Sequence, residues 1–306
     1  MTPLHLRLPA TSANLGPGFD TLALALDLYL EITAEEADAF FIRATGRNPE
    51  ICGALQGNLL LDVYRKTLAA NEREPKPLAL DVHNEIPLGM GCGSSAAVRL
   101  AGVALAAHFG ELGWDRERIL AAATRLEGHP DNAAACWQGG FVAGCWDGAK
   151  VHAVSFAPPP QWRALIVLPE KPLATVASRA VLPEHYSRAD VVANLQRVAV
   201  LTAAFATGRG ELLAEAMRDR MHQPYRSEVC PLLPRLLPLS GTPGVLGVAL
   251  SGAGPAVLVL VESESAVAQV SERVQDLTRG LEAIEITSCN LHAGPARMAN
   301  FHIPLS

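Results

Sequence analysis

The sequence has no run of lysine and arginine. Its 25 basic residues are outnumbered by 31 acidic ones, a net charge of −6 over 306 residues. A protein that holds nucleic acid or an anionic membrane usually gathers positive charge on one face, so neither partner is expected. No stretch of about 18 uninterrupted apolar residues is present, the length a membrane-crossing helix needs. The opening Met1-Thr2-Pro3-Leu4-His5 lacks the basic stretch and apolar run of a signal peptide. The cysteines are Cys52, Cys92, Cys136, Cys145, Cys230 and Cys289. None stands in a C-x-x-C pair or at zinc-like spacing from a histidine, so free thiols in a reducing cytoplasm are expected.

Apolar residues are what the chain has in quantity, 49% against 18% charged. That suffices for a sizeable core and argues against disorder. The length allows one large domain or two ordinary ones. Periodicity predicts strands over 22–32, 40–44 and 78–83 and helices over 58–70, 94–109 and 115–126, the last capped by Asp115. A hairpin is predicted over 141–145 and 151–156, turning at Asp147-Gly148. Pro158-Pro159-Pro160 can continue neither strand nor helix, and it divides a predicted domain 1–157 from a second, 158–306. The second half reads as a strand (162–168), helices (189–207, 211–221), strands (245–250, 256–261), a helix (266–277) and a strand (282–288). This interleaving predicts an α+β architecture with helices on one sheet face.

Three glycine-rich segments carry the chemistry. In Pro87-Leu88-Gly89-Met90-Gly91-Cys92-Gly93-Ser94-Ser95-Ala96-Ala97, glycines alternate just before a helix. Such a loop brings backbone amides and a helix N-terminus to one spot, which favours a polyphosphate. The hydroxyl of Ser94 or Ser95 could cap the helix or meet Mg²⁺. No lysine follows the glycines, so this is not a Walker loop. The second segment, Pro9 to Asp20, joins two strands and offers Asn14 and Asp20. The third, Leu250-Ser251-Gly252-Ala253-Gly254-Pro255-Ala256, lies between apolar strands and reads equally well as a plain turn.

Taken together and in this order, P-x-x-x-x-N-L-G-P-G-F-D, P-L-G-x-G-x-G-S-S-A-A and S-G-A-G-P resemble the signature motifs of the GHMP kinases, and among those the homoserine kinases most. The resemblance implies a two-domain fold: a ribosomal S5-like N-terminal domain and a ferredoxin-like C-terminal domain. It implies ATP and Mg²⁺ as cofactors and phosphorylation of L-homoserine to O-phospho-L-homoserine, a step of threonine biosynthesis in the cytoplasm. A homodimer is the family-based expectation. Another GHMP kinase acting on a different small alcohol, or a regulator that binds metabolites without turnover, are the competing readings.

A homoserine site must hold a carboxylate, an ammonium group and a hydroxyl, and arginine and an acid suit the first two. By resemblance, Asn14 and Asp20 hold the amino group. The segment T-x-x-x-R-A-x-L-P gives Thr175 and Arg179, and D-x-x-H-Q-P-Y-R gives Arg226; both arginines would meet the carboxylate. In Glu127-Gly128-His129-Pro130-Asp131-Asn132, Glu127 joins Ser95 on Mg²⁺ and Asn132 orients the substrate hydroxyl. Asn132, Glu127 and Arg179 are thus the catalytic set. Asn58 and the run Pro87 to Ser95 (Pro87, Leu88, Gly89, Met90, Gly91, Cys92, Gly93, Ser94, Ser95) would bind ATP. His129 and Asp131 are read as supporting residues, with proton transfer by either left open.

Overall fold

The computed structural model describes residues 2–173, 175–281 and 283–301. The first half runs β1 (Leu4–Asn14), β2 (Gly18–Glu36), β3 (Phe41–Gly46), α1 (Pro49–Cys52), α2 (Leu59–Ala69), β4 (Leu78–Asn84), α3 (Ser94–Phe109), α4 (Arg116–Glu127), α5 (Asp131–Gln138), β5 (Phe141–Trp146) and β6 (Val151–Phe156). The second half runs β7 (Arg163–Pro169), α6 (Thr175–Ala180), α7 (Arg188–Thr207), α8 (Leu213–Ala216), α9 (Gln223–Arg226), α10 (Leu232–Leu236), β8 (Val245–Leu250), β9 (Val257–Val261), α11 (Glu264–Thr278), β10 (Ile284–Asn290) and β11 (Arg297–Ala299).

The first sheet has the order β11-β1-β2-β4-β3, with β5 and β6 branching from β2. β2 is long enough to serve two neighbours: Leu22–Leu24 pair with β5, and Leu30–Glu36 with β4. α3 lies against this sheet, with Leu100, Ala101, Val103, Ala104 and Leu105 fully buried. Its near-continuous apolar surface suits a helix covered on most sides. Gly102 lets α2 come close, because a Cβ there would stand 2.7 Å from Val63 Cγ1.

The second sheet is antiparallel in the order β10-β7-β9-β8. With α6–α10 between its first two strands and α11 before its last, this is the ferredoxin-like arrangement. β7 reads Arg-Ala-Leu-Ile-Val-Leu-Pro, an unbroken apolar run, because both its faces are covered. Ala164, Ile166 and Leu168 join the large core shared with the first sheet, while Leu165 and Val167 pack in a second core with Leu233, Val270 and Val274. The two sheets meet through aromatic packing: Phe141 stacks on Phe205 at 4.2 Å, and Trp162 meets Phe205 edge-on at 5.4 Å.

One expected element changes. The helix read over 211–221 is only a 3₁₀ turn and α8, ending at Ala216. The Asp219 carboxylate instead collects the amides of Met221, His222 and Gln223, which starts α9. After the bend that follows Glu127, the chain forms α5, whose Ala133, Ala134 and Ala135 are fully buried. β11 returns from the far end of the chain to pair with β1. Among the described residues one helix, α7, is long and apolar enough by length and composition to cross a membrane. It carries Arg188, Asp190 and Arg197, with Arg197 paired to Glu215, Asp190 to Arg220, and Asn194 bonded to Asp219.

Candidate active site

The three glycine-rich segments are one structure. Thr11 N donates to Cys92 O, Gly252 N to Ala13 O and Ala256 N to Met90 O, each near 3 Å. Ser251 Oγ donates to Gly91 O at 2.8 Å, and Asn14 Nδ2 to Gly252 O at 2.8 Å. Gly91 and Gly93 have φ of +82° and +72°. A Cβ on Gly91 would overlap the carbonyl of Ser251, and one on Gly93 would overlap Thr11 Oγ1. Glycine is therefore required here both for backbone conformation and for the close contact of three loops.

Beside this knot lies a cleft of about 760 Å³. Most of the residues expected at the site line it: Asn14, Asp20, Asn58, Leu88, Gly89, Gly91, Gly93, Ser94, Ser95, Glu127, Asn132, Arg179 and Arg226. Pro87, Met90 and Cys92 do not line it. Cys92 is instead buried, its thiol pushed up to about 12 by burial, and its carbonyl braces Thr11. The Thr175 side chain lies outside the described residues.

Two ends of the cleft differ. At the first, α3 begins after Gly93 with no side-chain cap, so its first-turn amides have no side-chain partner. Anions are favoured at such an end. Ser95 lies in this first turn, and Glu127 arrives at the end of α4. Arg99, one turn along α3, donates through Nη1 to Ser95 Oγ at 2.6 Å and to Glu127 Oε2. A cationic nitrogen thus bridges these two oxygens, which shows that the pair suits a positive charge. Asn58, expected near adenine, has its amide fully engaged. Its oxygen caps α2 at Leu60 N and Leu61 N, and its nitrogen donates to Cys52 O and Ala54 O.

At the second end, two arginines converge on Phe19, each guanidinium carbon 5.3 Å from the ring centre. Arg179 holds Asp20 by two bonds, 2.6 and 3.1 Å. Arg226 is 1% exposed and has no carboxylate partner among the described residues. It donates to Ser178 O, Gly252 O and His222 Nδ1. Burial, then the nearby Arg179 charge, pulls its pKa below the usual guanidinium value. His222 must be neutral: Nε2 donates to Gly16 O at 2.7 Å, and Nδ1 accepts from an arginine, which can only donate. Burial lowers its pKa accordingly. Asn14 faces the cleft, but both its amide atoms are engaged, since Oδ1 accepts from Asp20 N at 3.0 Å.

Between the ends, Thr11 Oγ1 donates to Asn132 Oδ1 at 2.7 Å, and Asn132 Nδ2 donates to Asp131 Oδ1 at 3.4 Å. His129 Nδ1 meets Asp131 Oδ1 at 2.9 Å. Burial opposes charge on His129, but the bond to Asp131 and the negative charges of Asp131 and Asp20 together outweigh it, and the pKa is raised. Asp20, His129 and Asp131 bring one ligand atom each within 4.8 Å of one another.

Thr11, Arg99 and His222 were not singled out from the sequence. Arg99 was findable: it stands at i+4 from Ser95, on the same helix face. Thr11 and His222 stand inside segments already chosen, but their roles depend on partners more than 100 residues away.

Comparison with known proteins bears on the family and the fold. The family description "GHMP kinases N terminal domain" matches residues 58–140, and "GHMP kinases C terminal" matches 201–279. The homoserine kinase of Solibacter usitatus is 48% identical over 84% of this chain and 85% of its own length. The chain belongs to the homoserine kinase family of the GHMP kinases. The homoserine kinase of Moorella thermoacetica is 41% identical, over 83% of this chain and 86% of its own. The fold is that of a homoserine kinase crystal structure from Cytophaga hutchinsonii, with TM-score 0.80, 24% identity and coverage of 97% and 98% of the two chains. It is shared more distantly with Lactococcus lactis galactokinase, with TM-score 0.68, 12% identity and coverage of 96% and 95%. GHMP kinase membership thus spans both sheets of the molecule.

Proposed function

We propose that this homoserine kinase phosphorylates the hydroxyl of L-homoserine from ATP, in the cleft described, with product O-phospho-L-homoserine. The observation that carries the substrate assignment is Arg226: a buried guanidinium with no acidic partner among the described residues, beside Arg179 and Asp20. Burying an uncompensated charge is costly, and an anionic substrate group relieves that cost. The Asp20–Arg179 pair fits a zwitterion in particular. An amino acid can give its ammonium to Asp20 and its carboxylate to the arginines, so neither partner is left alone.

Asn132 orients the hydroxyl. Thr11 bonds its amide oxygen and Asp131 takes one N–H of its amide nitrogen, so the second N–H is left to meet the substrate oxygen. Gly89 to Ser95 and the start of α3 receive the phosphates, and phosphoryl transfer then rests on positioning and charge neutralisation. Ser95 and Glu127 would hold Mg²⁺, which supplies that neutralisation when bound; their bridging by a guanidinium supports the choice. Asn58 and Asn14 act as braces, the first for the loop near the base, the second between glycine-rich loops. His129 is read as a support for Asp131 and Asn132.

We place the domain boundary between 157 and 158, with β11 returning to the first sheet. A cytoplasmic homodimer with no nucleic-acid or membrane partner fits the net charge of −6. The reading is tested by ADP release from the purified protein with homoserine, serine, threonine, mevalonate and galactose. Homoserine is expected to be turned over best; preference for mevalonate or galactose would overturn the substrate, and no turnover of any would favour a non-catalytic binder.

A further inference from the structure

Arg99 is a feature that neither the glycine-rich motifs nor the substrate residues account for. It projects from α3 onto the cleft wall, one turn beyond Ser95. A single nitrogen, Nη1, bonds both Ser95 Oγ and Glu127 Oε2. The Arg99 side chain is 24% exposed and that of Glu127 10%, so this ion pair is partly shielded from water. These are the same two oxygens assigned above to the metal, and the inference rests on that assignment. A divalent cation bonded to both oxygens at about 2.0–2.1 Å and a guanidinium nitrogen bonded to both cannot coexist. Their charges repel strongly at that separation. The anion that arrives with the metal is the polyphosphate, received at the start of the same helix.

We propose that Arg99 is a positioning residue that serves as the resident counter-cation of the metal position. In the arrangement seen, it neutralises Glu127 and holds Ser95 and Glu127 together. As the divalent cation takes those oxygens, Arg99 releases them and turns to the phosphates, whose charge it then shares. Two consequences follow from a competition between cations for one carboxylate. Arg99 raises the metal concentration needed to load the site, and it lets nucleotide bind to some extent without metal. A simple staple between α3 and α4 would do neither.

The test is calorimetric binding of ATP, first in EDTA and then across a Mg²⁺ titration, with native protein, Arg99→Met and Glu127→Gln. Arg99→Met is expected to bind ATP in EDTA about tenfold more weakly, the loss of one charge-assisted bond. Its Mg²⁺ midpoint should fall below the native one. Native affinity in EDTA together with a native Mg²⁺ midpoint would overturn the proposal, whatever happens to Tm. Glu127→Gln separates the two levels of argument. If it keeps the native Mg²⁺ midpoint, the metal assignment itself fails, and this inference with it. If it loses the Mg²⁺ response while Arg99→Met behaves as native, only the role of Arg99 fails. Should Arg99→Met not fold, Arg99→Gln keeps a donor for Ser95 without the charge and decides by the same readings.

Discussion

The two ends of the cleft are built by different means. The phosphate end is mostly backbone: a glycine loop, the open start of α3, and three loops tied by main-chain bonds. The amino-acid end is mostly side chains: Asp20, Arg179, His222 and Arg226, brought together from positions up to 206 residues apart. Backbone construction is unforgiving of added atoms. Side-chain construction tolerates replacement but stores electrostatic strain, since Arg226 is buried with no acid paired to it among the described residues. Damage at the first end should therefore fall on fold and nucleotide together, and at the second on the substrate alone.

The strongest test of that contrast is Gly93→Val. The new Cβ would overlap Thr11 Oγ1 and stand 3.2 Å from Asn132 Oδ1, at a φ of +72°. Stability should fall by about 4 kcal/mol or more, with ATP binding lost in whatever folds. Denaturant unfolding and nucleotide calorimetry check it, and a stable variant with native ATP affinity would break the backbone account.

Arg226→Leu should behave in the opposite way. The homoserine KM should rise by the equivalent of about 2–5 kcal/mol, with little change for ATP. A buried cation with no acid among the described residues is removed, but Ser178 O, Gly252 O and His222 Nδ1 lose their donor, so the two effects oppose and Tm should change little. A fall in Tm with an unchanged homoserine KM would make Arg226 a structural residue. Arg179→Leu sharpens the point: its side chain is 37% exposed, so water screens its charge and the KM effect should be smaller, about 1–2 kcal/mol. The amino alcohol that lacks the carboxylate should be a poor substrate for the native enzyme and lose little further in either variant.

The amino-acid end should also be the acid-sensitive one. His222 is neutral in the fold and its pKa is lowered from 6.5, whereas the unfolded chain takes up a proton at the ordinary value. The unfolded state thus binds more protons below that pH, and stability falls as pH drops from about 6.5 toward the folded pKa. Protonation also breaks the bond from Arg226 to Nδ1, so homoserine affinity should fall in acid while ATP affinity changes less. Calorimetric titrations of both ligands between pH 5 and 8 measure this. A parallel loss of both affinities would sink the assignment to His222. The smallest effect is expected at Gly128→Ala. This glycine also has positive φ, +90°, but nothing lies within 4 Å of a new Cβ. Only conformational strain is added, about 1 kcal/mol, and a much larger loss would mean that φ, rather than loop contact, governs Gly93 too.

The phosphate end was legible because its signal is local. Alternating glycines before an alanine-rich helix state both the turn and the helix start, and α3 spans the predicted 94–109. The β5–β6 hairpin was legible for the same reason, with Asp147 Oδ1 taking the amides of Ala149 and Lys150 at its turn. Short-range signals failed where a distant or competing partner prevailed. The 211–221 helix stops at Ala216, and the Asp219 carboxylate, joined by Asn194, starts α9 instead.

By itself the sequence determined the family, the glycine loop and the start of α3, and it marked out Asp20, Arg179 and Arg226, which the fold brings to one end of the cleft. Backbone conformation at a glycine and the cap of a helix depend on neighbours a few residues away, so they can be read in order along the chain. Only the tertiary structure decided that Asn14 and Asn58 are braces, that Arg179 is held by Asp20 while Arg226 has no acid among the described residues, and that Arg99 bridges Ser95 and Glu127. Those facts depend on which charges and amides meet across loops far apart in sequence, and on how little water reaches them, and both are set only when the two sheets pack.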